Sequence, residues 1–132
     1  MNTQNKVALV TGAGARVGNV IARRLADAGA TIAVHYRNSG EGAQAFVAEI
    51  IAGGGQADMF QADLANREQA EKLIPAVVEK FGSLDILINN ASVFQDRWLE
   101  ETSNADWDVN LAVNVTAPFL LSRAMAEHLN GK

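Results

Sequence analysis

Apolar positions along the chain keep two alternating rhythms. Val7-Ala-Leu-Val10 is a continuous apolar run closed by Thr11-Gly12, the pattern of a strand buried on both faces. From Val17 onward the apolar residues Val20, Ile21 and Leu25 recur at helical spacing, Arg23, Arg24 and Asp27 take the opposite side, and Gly29 marks the stop. Ala30 to Tyr36 is β-branched and aromatic, which predicts a second strand, and Asn38-Ser39-Gly40 turns the chain. Ala43, Phe46, Val47, Ile50 and Ile51 trace one helical face up to Gly53-Gly-Gly55. A third strand is predicted over Gln56 to Leu64. A helical stripe of Ala70, Leu73, Ile74, Val77, Val78 and Phe81 follows and ends at Gly82, and Leu84 to Ile88 predicts a fourth strand.

Strands and helices in strict alternation, joined by connections of a few residues, require parallel strands and right-handed crossovers. The expected fold is a doubly wound α/β sheet ordered 3-2-1-4, with helices on both faces in three αβα layers, and the whole chain, 1–132, is one domain. Two features strain a four-stranded arrangement. Ile86-Leu-Ile88 has the composition of a central strand, yet that order places it at an edge. The stretch from Ala105 to Leu129 predicts one long helix whose apolar residues, Leu111, Val113, Val115, Phe119, Leu121 and Met125 among them, nearly encircle it. Such a helix is covered on more than one side, by the sheet and by either further chain or a second subunit. The reading is of a fold truncated before its later strands, with the helix around Asn114 to Leu129 as the self-association face.

Composition narrows the function classes. A net charge of −4, with no cluster of Lys and Arg, argues against nucleic acid or an anionic membrane surface as partner and leaves a small-molecule substrate. With no cysteine there is no thiol nucleophile, and the two histidines, His35 and His128, lie too far apart to suggest a metal site. The N-terminal apolar run is too short for a signal segment or a membrane span, so a cytoplasmic location is expected.

The chemistry sits in the turns after the strands. Thr11-Gly-Ala-Gly-Ala-Arg-Val-Gly18 places Gly12, Gly14 and Gly18 between the first strand and the first helix, one residue longer than the familiar G-x-G-x-x-G spacing. Glycines here permit positive φ and close backbone approach, and the helix behind them offers free N–H groups to a pyrophosphate; the plainer reading is a tight turn. An NAD site would place an acid about 20 residues on, at the end of the second strand. That segment reads His35-Tyr36-Arg37-Asn38-Ser39, without an acid, and a guanidinium matches a 2′-phosphate, so the residues favour NADP; otherwise Arg37 is a solvated turn residue. Asp63 serves either as acceptor for an adenine amine or as cap of the next helix. Asn89-Asn90-Ala91-Ser92 leaves the fourth strand beside the switch point between strands one and four, where open α/β sheets bind ligands. Pro118 deprives the Asn114 carbonyl of its helical donor, which either frees that oxygen to hold a water or only curves the helix around the core.

Together these residues resemble the short-chain dehydrogenase/reductase family: Thr11-Gly12…Gly18 for its glycine loop, Asp63-Leu64 for its adenine-side Asp, Asn89-Asn90-Ala91 for its Asn-Asn-Ala-Gly motif and Asn114-Val115 for its helix Asn. The resemblance implies a Rossmann-like NADP-binding domain. Gly12, Gly14, Arg16, Val17, Gly18, His35, Tyr36, Arg37, Asn38, Ser39, Asp63, Leu64, Asn90, Ala91 and Ser92 are its cofactor-side residues, and Asn114 is its one catalytic position. Arg16, Ser92, Phe94 and the His35 to Ser39 segment are further similar to the pteridine reductase subgroup, which implies Ser92 and Phe94 as substrate contacts, Phe94 stacking a pterin. The implied activity is NADPH-dependent hydride transfer to a carbonyl or to a pterin-like C=N bond. The alternatives are an oxoacyl or sugar reductase of the same family, or a module that binds NADP without turnover. Family members are roughly twice this long and carry a catalytic Ser and a Tyr-x-x-x-Lys pair. Tyr36 is the one tyrosine here and Lys132 the last residue, so the chain alone is expected to lack the general acid, a loss commonly worth about 10²–10⁴-fold.

Overall fold

The computed structural model describes residues 2–38 and 40–131. Four parallel strands, β1 (Val7–Val10), β2 (Thr31–Tyr36), β3 (Ala57–Gln61) and β4 (Ile86–Ile88), form one sheet in the order β3-β2-β1-β4. Helices α1 (Arg16–Asp27), α2 (Gly40–Ala52) and α3 (Arg67–Phe81) are the crossovers, and α4 (Asn104–Leu111) and α5 (Ala117–Asn130) follow β4. The order is the one expected from the alternation of elements. β3 and β4 are shorter than their apolar patterns, because a strand ends where its neighbour stops offering ladder partners: β4 pairs with β1 alone, from Ala8 to Val10.

The period-two alternation of the central strands divides the core into two layers. Val7, Leu9 and Ala33 point to the face covered by α3 and α5, where Leu73, Ile74, Val77, Leu120, Leu121 and Met125 are buried. Ala8, Val10, Ile32 and Val34 point to the other face, against Ala22 and Leu25 of α1 and Ala43, Phe46 and Ile50 of α2. Every residue of β1 is buried, as its unbroken apolar run requires.

The predicted long helix departs from expectation. It is broken at Ala112–Thr116 into a π turn between α4 and α5, the Ala117 N–H reaching the Ala112 carbonyl, five residues back. Pro118 lies in the first turn of α5, where a residue without an N–H is tolerated. Thus the strain read at Pro118 as a kink is taken up as a widened turn just before it. Buried Leu120, Leu121 and Met125 face the sheet, while Leu111, Val115 and Phe119 stay exposed. Among the described residues no helix is long and apolar enough to cross a membrane.

Candidate functional site

The carboxyl ends of the strands open onto a groove of about 870 Å³. β1 delivers Gly12, Gly14, Arg16 and Val17 to it, β2 delivers His35, Tyr36, Arg37 and Asn38, the end of β3 delivers Asp63 and Leu64, and the segment after β4 delivers Asn90, Ala91, Ser92 and Phe94. Four separate turns converge because parallel strands all end on the same edge of the sheet. Ser39 lies outside the described residues.

Two expected cofactor residues act from outside the groove or from beneath it. Gly18 does not line it; a Cβ there would overlap the Gly12 carbonyl oxygen and stand 2.5 Å from Asn90 Nδ2, so this glycine lets α1 pack against the loop. His35 lines the floor but is only 2% exposed. Its Nδ1 accepts from the Gly12 N–H at 2.9 Å and its Nε2 donates to the Ala62 carbonyl at 2.9 Å, so neither ring nitrogen is left for a ligand. His35, expected on the cofactor side, is thus built into the groove floor with both ring nitrogens engaged.

The glycine loop is held by the segment after β4 as well as by His35. Thr11 Oγ1 accepts from the N–H groups of Asn90 (3.0 Å) and Ala91 (2.9 Å), and Asn90 Nδ2 donates to the Thr11 carbonyl at 3.0 Å. These bonds tie the segment after β4, with its adjacent pair Asn89 and Asn90, to the loop after β1. Of that pair, Asn90 makes the bridge and Asn89 donates instead to Ser122 of α5 at 3.3 Å. Gly12 has φ +65°, which its lack of a Cβ permits. Arg16, at the first position of α1, has φ +55° without that permission. α1 also starts without a side-chain cap, at Ala15, and without an acid in its first turn. In contrast, Asn66 caps α3 and Ser103 with Asp106 forms a capping box on α4. Free first-turn N–H groups, the positive helix end and the Arg16 guanidinium together make the mouth of α1 suited to an anion.

Substituting Arg16 separates these contributions. In Arg16→Gly the left-handed strain disappears, so unfolding free energy should rise by about 1 kcal/mol in denaturant titration, while affinity for a phosphate-bearing ligand falls. A variant that binds as tightly as the parent would remove Arg16 from the site.

Arg37 and Asp63 face each other across the groove edge, with Nε to Oδ1 at 3.7 Å. Both are partly exposed, and such a pair contributes little to stability. Asp63 Oδ1 accepts from the Ala65 N–H, and the cap of α3 is Asn66, which corrects the alternative of Asp63 as helix cap.

A family model for short chain dehydrogenases matches residues 6–132. The chain belongs to the short-chain dehydrogenase family. A short chain dehydrogenase from Burkholderia cenocepacia, solved in complex with NADP, is 44% identical with a TM-score of 0.94, covering 97% of this chain and 52% of that one. A blue fluorescent protein from a metagenomic library, solved with NADPH, is 36% identical with a TM-score of 0.92, covering 96% of this chain and 52% of that one. The 3-oxoacyl-[acyl-carrier-protein] reductase of Synechocystis is 39% identical over 122 residues, 92% of this chain and 49% of that protein. This short-chain dehydrogenase sequence thus spans about half the length of the relatives it matches.

In this family member the helix Asn is occupied as a clamp. Asn114, in the π turn, does not line the groove; its Oδ1 accepts from the Val93 N–H and its Nδ2 donates to the Val93 carbonyl, both at 2.9 Å. The side chain thereby fixes the segment between Ser92 and Phe94, a positioning role that spacing alone did not reveal. Phe94 is 87% exposed at the groove, and Trp98, Leu99 and Trp107 are exposed beyond it. Val109 and Val113 line the groove's far wall and were not among the expected site residues. Their four-residue spacing just before Asn114 was the available signal, but it looks like any core stripe. Among the described residues no three His, Asp or Glu side chains form a metal-ligating group.

Proposed function

We propose that this chain is the cofactor-binding part of an NADPH-dependent short-chain reductase acting on a carbonyl compound, with a 3-oxoacyl thioester as the substrate class. The observation that carries the cofactor is the groove edge at the end of β2: Arg37 stands where an NAD site needs an acid, beside an uncapped helix mouth and Arg16. The residues present fit a dinucleotide. First-turn amides of α1 and Arg16 hold the pyrophosphate, Arg37 and Asn38 hold the 2′-phosphate, Asp63 accepts from the adenine amine, and small Ala91 and Ser92 leave room for the flat nicotinamide end. When bound, NADPH supplies the hydride. Asn114 keeps Val93, and with it Ser92 and Phe94, in a fixed position at the reacting end. The carbonyl preference draws its support from the 3-oxoacyl reductases among the relatives. A pterin-like C=N substrate is the second reading, favoured by Phe94, an exposed aromatic platform beside Ser92 on a groove that also holds Arg16.

The test is calorimetric titration with NADPH and NADH, followed by spectroscopy of the NADPH-loaded protein with an acetoacetyl thioester and with a dihydropterin. NADPH should bind at least about tenfold tighter, consistent with one charge-assisted phosphate contact, and the thioester should oxidise it slowly. Equal affinities would sink the cofactor assignment. Oxidation by the pterin alone would replace the carbonyl reading, and oxidation by neither would leave a binding module.

A further inference from the structure

His35 is a buried ionisable side chain on which three pieces of backbone depend. Its Nδ1 accepts from the Gly12 N–H, its Nε2 donates to the Ala62 carbonyl, and its own carbonyl accepts from the Ala13 N–H at 2.9 Å. Two successive amides of the glycine loop therefore hang on one residue of β2, and the ring also reaches the backbone just past β3. The partners leave no choice of tautomer. An amide N–H only donates and a carbonyl only accepts, so the ring must be neutral, with its proton on Nε2 and its lone pair on Nδ1. Protonation would aim an Nδ1–H at the Gly12 N–H, and the bond would be lost.

We propose that His35 is a positioning residue for the dinucleotide: in its neutral form it sets the Gly12 amide and so the shape of the phosphate-binding loop, and acid releases that loop and weakens cofactor binding. The proposal rests on the dinucleotide reading of the groove. Burial lowers the ring's pKa below the ordinary histidine value, with the Ala62 carbonyl opposing as the smaller influence. A folded pKa depressed below the unfolded value means that the neutral ring's contribution is fully present above about pH 6.5 and is lost as pH falls through the folded pKa. Several charged groups on the surrounding elements pair with one another. Arg37 faces Asp63, Asp58 of β3 faces Lys80, and Arg23 of α1 faces Glu49 of α2; Arg24 of α1 and Glu41 of α2 lie on the same elements, and Arg16 stands at the groove mouth. The hydrogen bonds of the ring go only to backbone atoms.

The sign of the effect separates positioning from simple electrostatics. Phosphates brought near an imidazolium attract it, so a ring acting only through its charge would strengthen binding in acid. A ring acting through the Gly12 bond weakens binding instead.

The experiment measures the Kd of NADP⁺, which tolerates acid, from pH 8 to pH 5 for the parent, His35→Asn and His35→Gln, each shown by circular dichroism to be folded at every pH used. Asn offers an acceptor at the position of Nδ1 and gives up the bond to Ala62; Gln reaches toward Ala62 and gives up the bond to Gly12. Each variant forfeits one hydrogen bond, so a purely structural role predicts similar melting temperatures and similar affinities. Positioning predicts that the affinities split: Asn within about threefold of the parent at pH 8, Gln weaker by about tenfold, and the parent weakening in acid more steeply than Asn, whose own loss is that of the ligand's 2′-phosphate taking up a proton at about pH 6. Equal affinities for the two variants, or a parent Kd whose acid dependence matches that of His35→Asn, would overturn the proposal. Failure of the parent to bind NADP⁺ at pH 8 would instead overturn the dinucleotide reading. The Gly12 amide resonance then decides the structural link by itself: it follows the titration of His35 if the ring holds the loop and ignores it otherwise.

Discussion

Gly18→Ala should cost about 3 kcal/mol of stability and abolish measurable NADPH binding, the largest loss expected from adding a single methyl group to this molecule. The added Cβ would overlap the Gly12 carbonyl oxygen and press on Asn90 Nδ2 at 2.5 Å, and neither can retreat freely. Asn90 is bonded to the Thr11 carbonyl, and the Gly12 amide is bonded to His35. Relief therefore requires α1 to move away from β1, which opens the core layer between them. Gly54→Ala is the internal comparison. Gly54 also has an unusual backbone, φ +92°, but nothing stands within 4 Å of its Cβ position. Its substitution should cost about 1–2 kcal/mol from backbone strain alone and leave NADPH affinity unchanged. Denaturant titration and calorimetry on both variants check the pair; a Gly18→Ala protein that folds and binds like the parent would mean that the helix does not sit on the loop as described.

Arg37→Asp should reverse the choice of dinucleotide. Removing the guanidinium costs NADPH a charge-assisted contact, and the new carboxylate repels a 2′-phosphate and stands beside Asp63, so NADPH affinity should fall by about 100-fold. NADH, which has a hydroxyl in that place, should change by less than about threefold or gain slightly, because a carboxylate there can accept from the ribose. The Arg37–Asp63 pair is partly exposed, so its loss should leave the melting temperature nearly unchanged. Equal losses for NADPH and NADH would show that Arg37 does not read the 2′-phosphate. A collapse in stability would show that the ion pair matters more than exposed pairs ordinarily do.

Much of the site was legible because it is made of turns. Glycines at 12, 14 and 18, the acid-free segment at the end of β2, and Asn90-Ala91-Ser92 are local statements, and in a parallel sheet all such turns must open on one edge. What could not be read locally is the partner of each side chain. His35 was expected on the cofactor side, but its partners, the Gly12 amide and the Ala62 carbonyl, come from segments 23 and 27 residues away. Asn114 was placed by its motif, but its grip on Val93 depends on the segment after β4 folding back across the π turn. Asp63 was open to two uses, and only the placement of Asn66 at the start of α3 removed the capping role.

The alternation of apolar runs and helical stripes, by itself, determined the element order, the parallel sheet and the strand order β3-β2-β1-β4, because side-chain periodicity and crossover handedness leave few other ways to bury those faces. It also determined that the groove lies past the strand ends. The tertiary structure decided the rest: where the last helix widens, which glycine touches backbone, and which polar groups face the groove rather than one another. These depend on hydrogen bonds and contacts between residues far apart in the chain, and such pairings are set by packing, to which local propensity is blind.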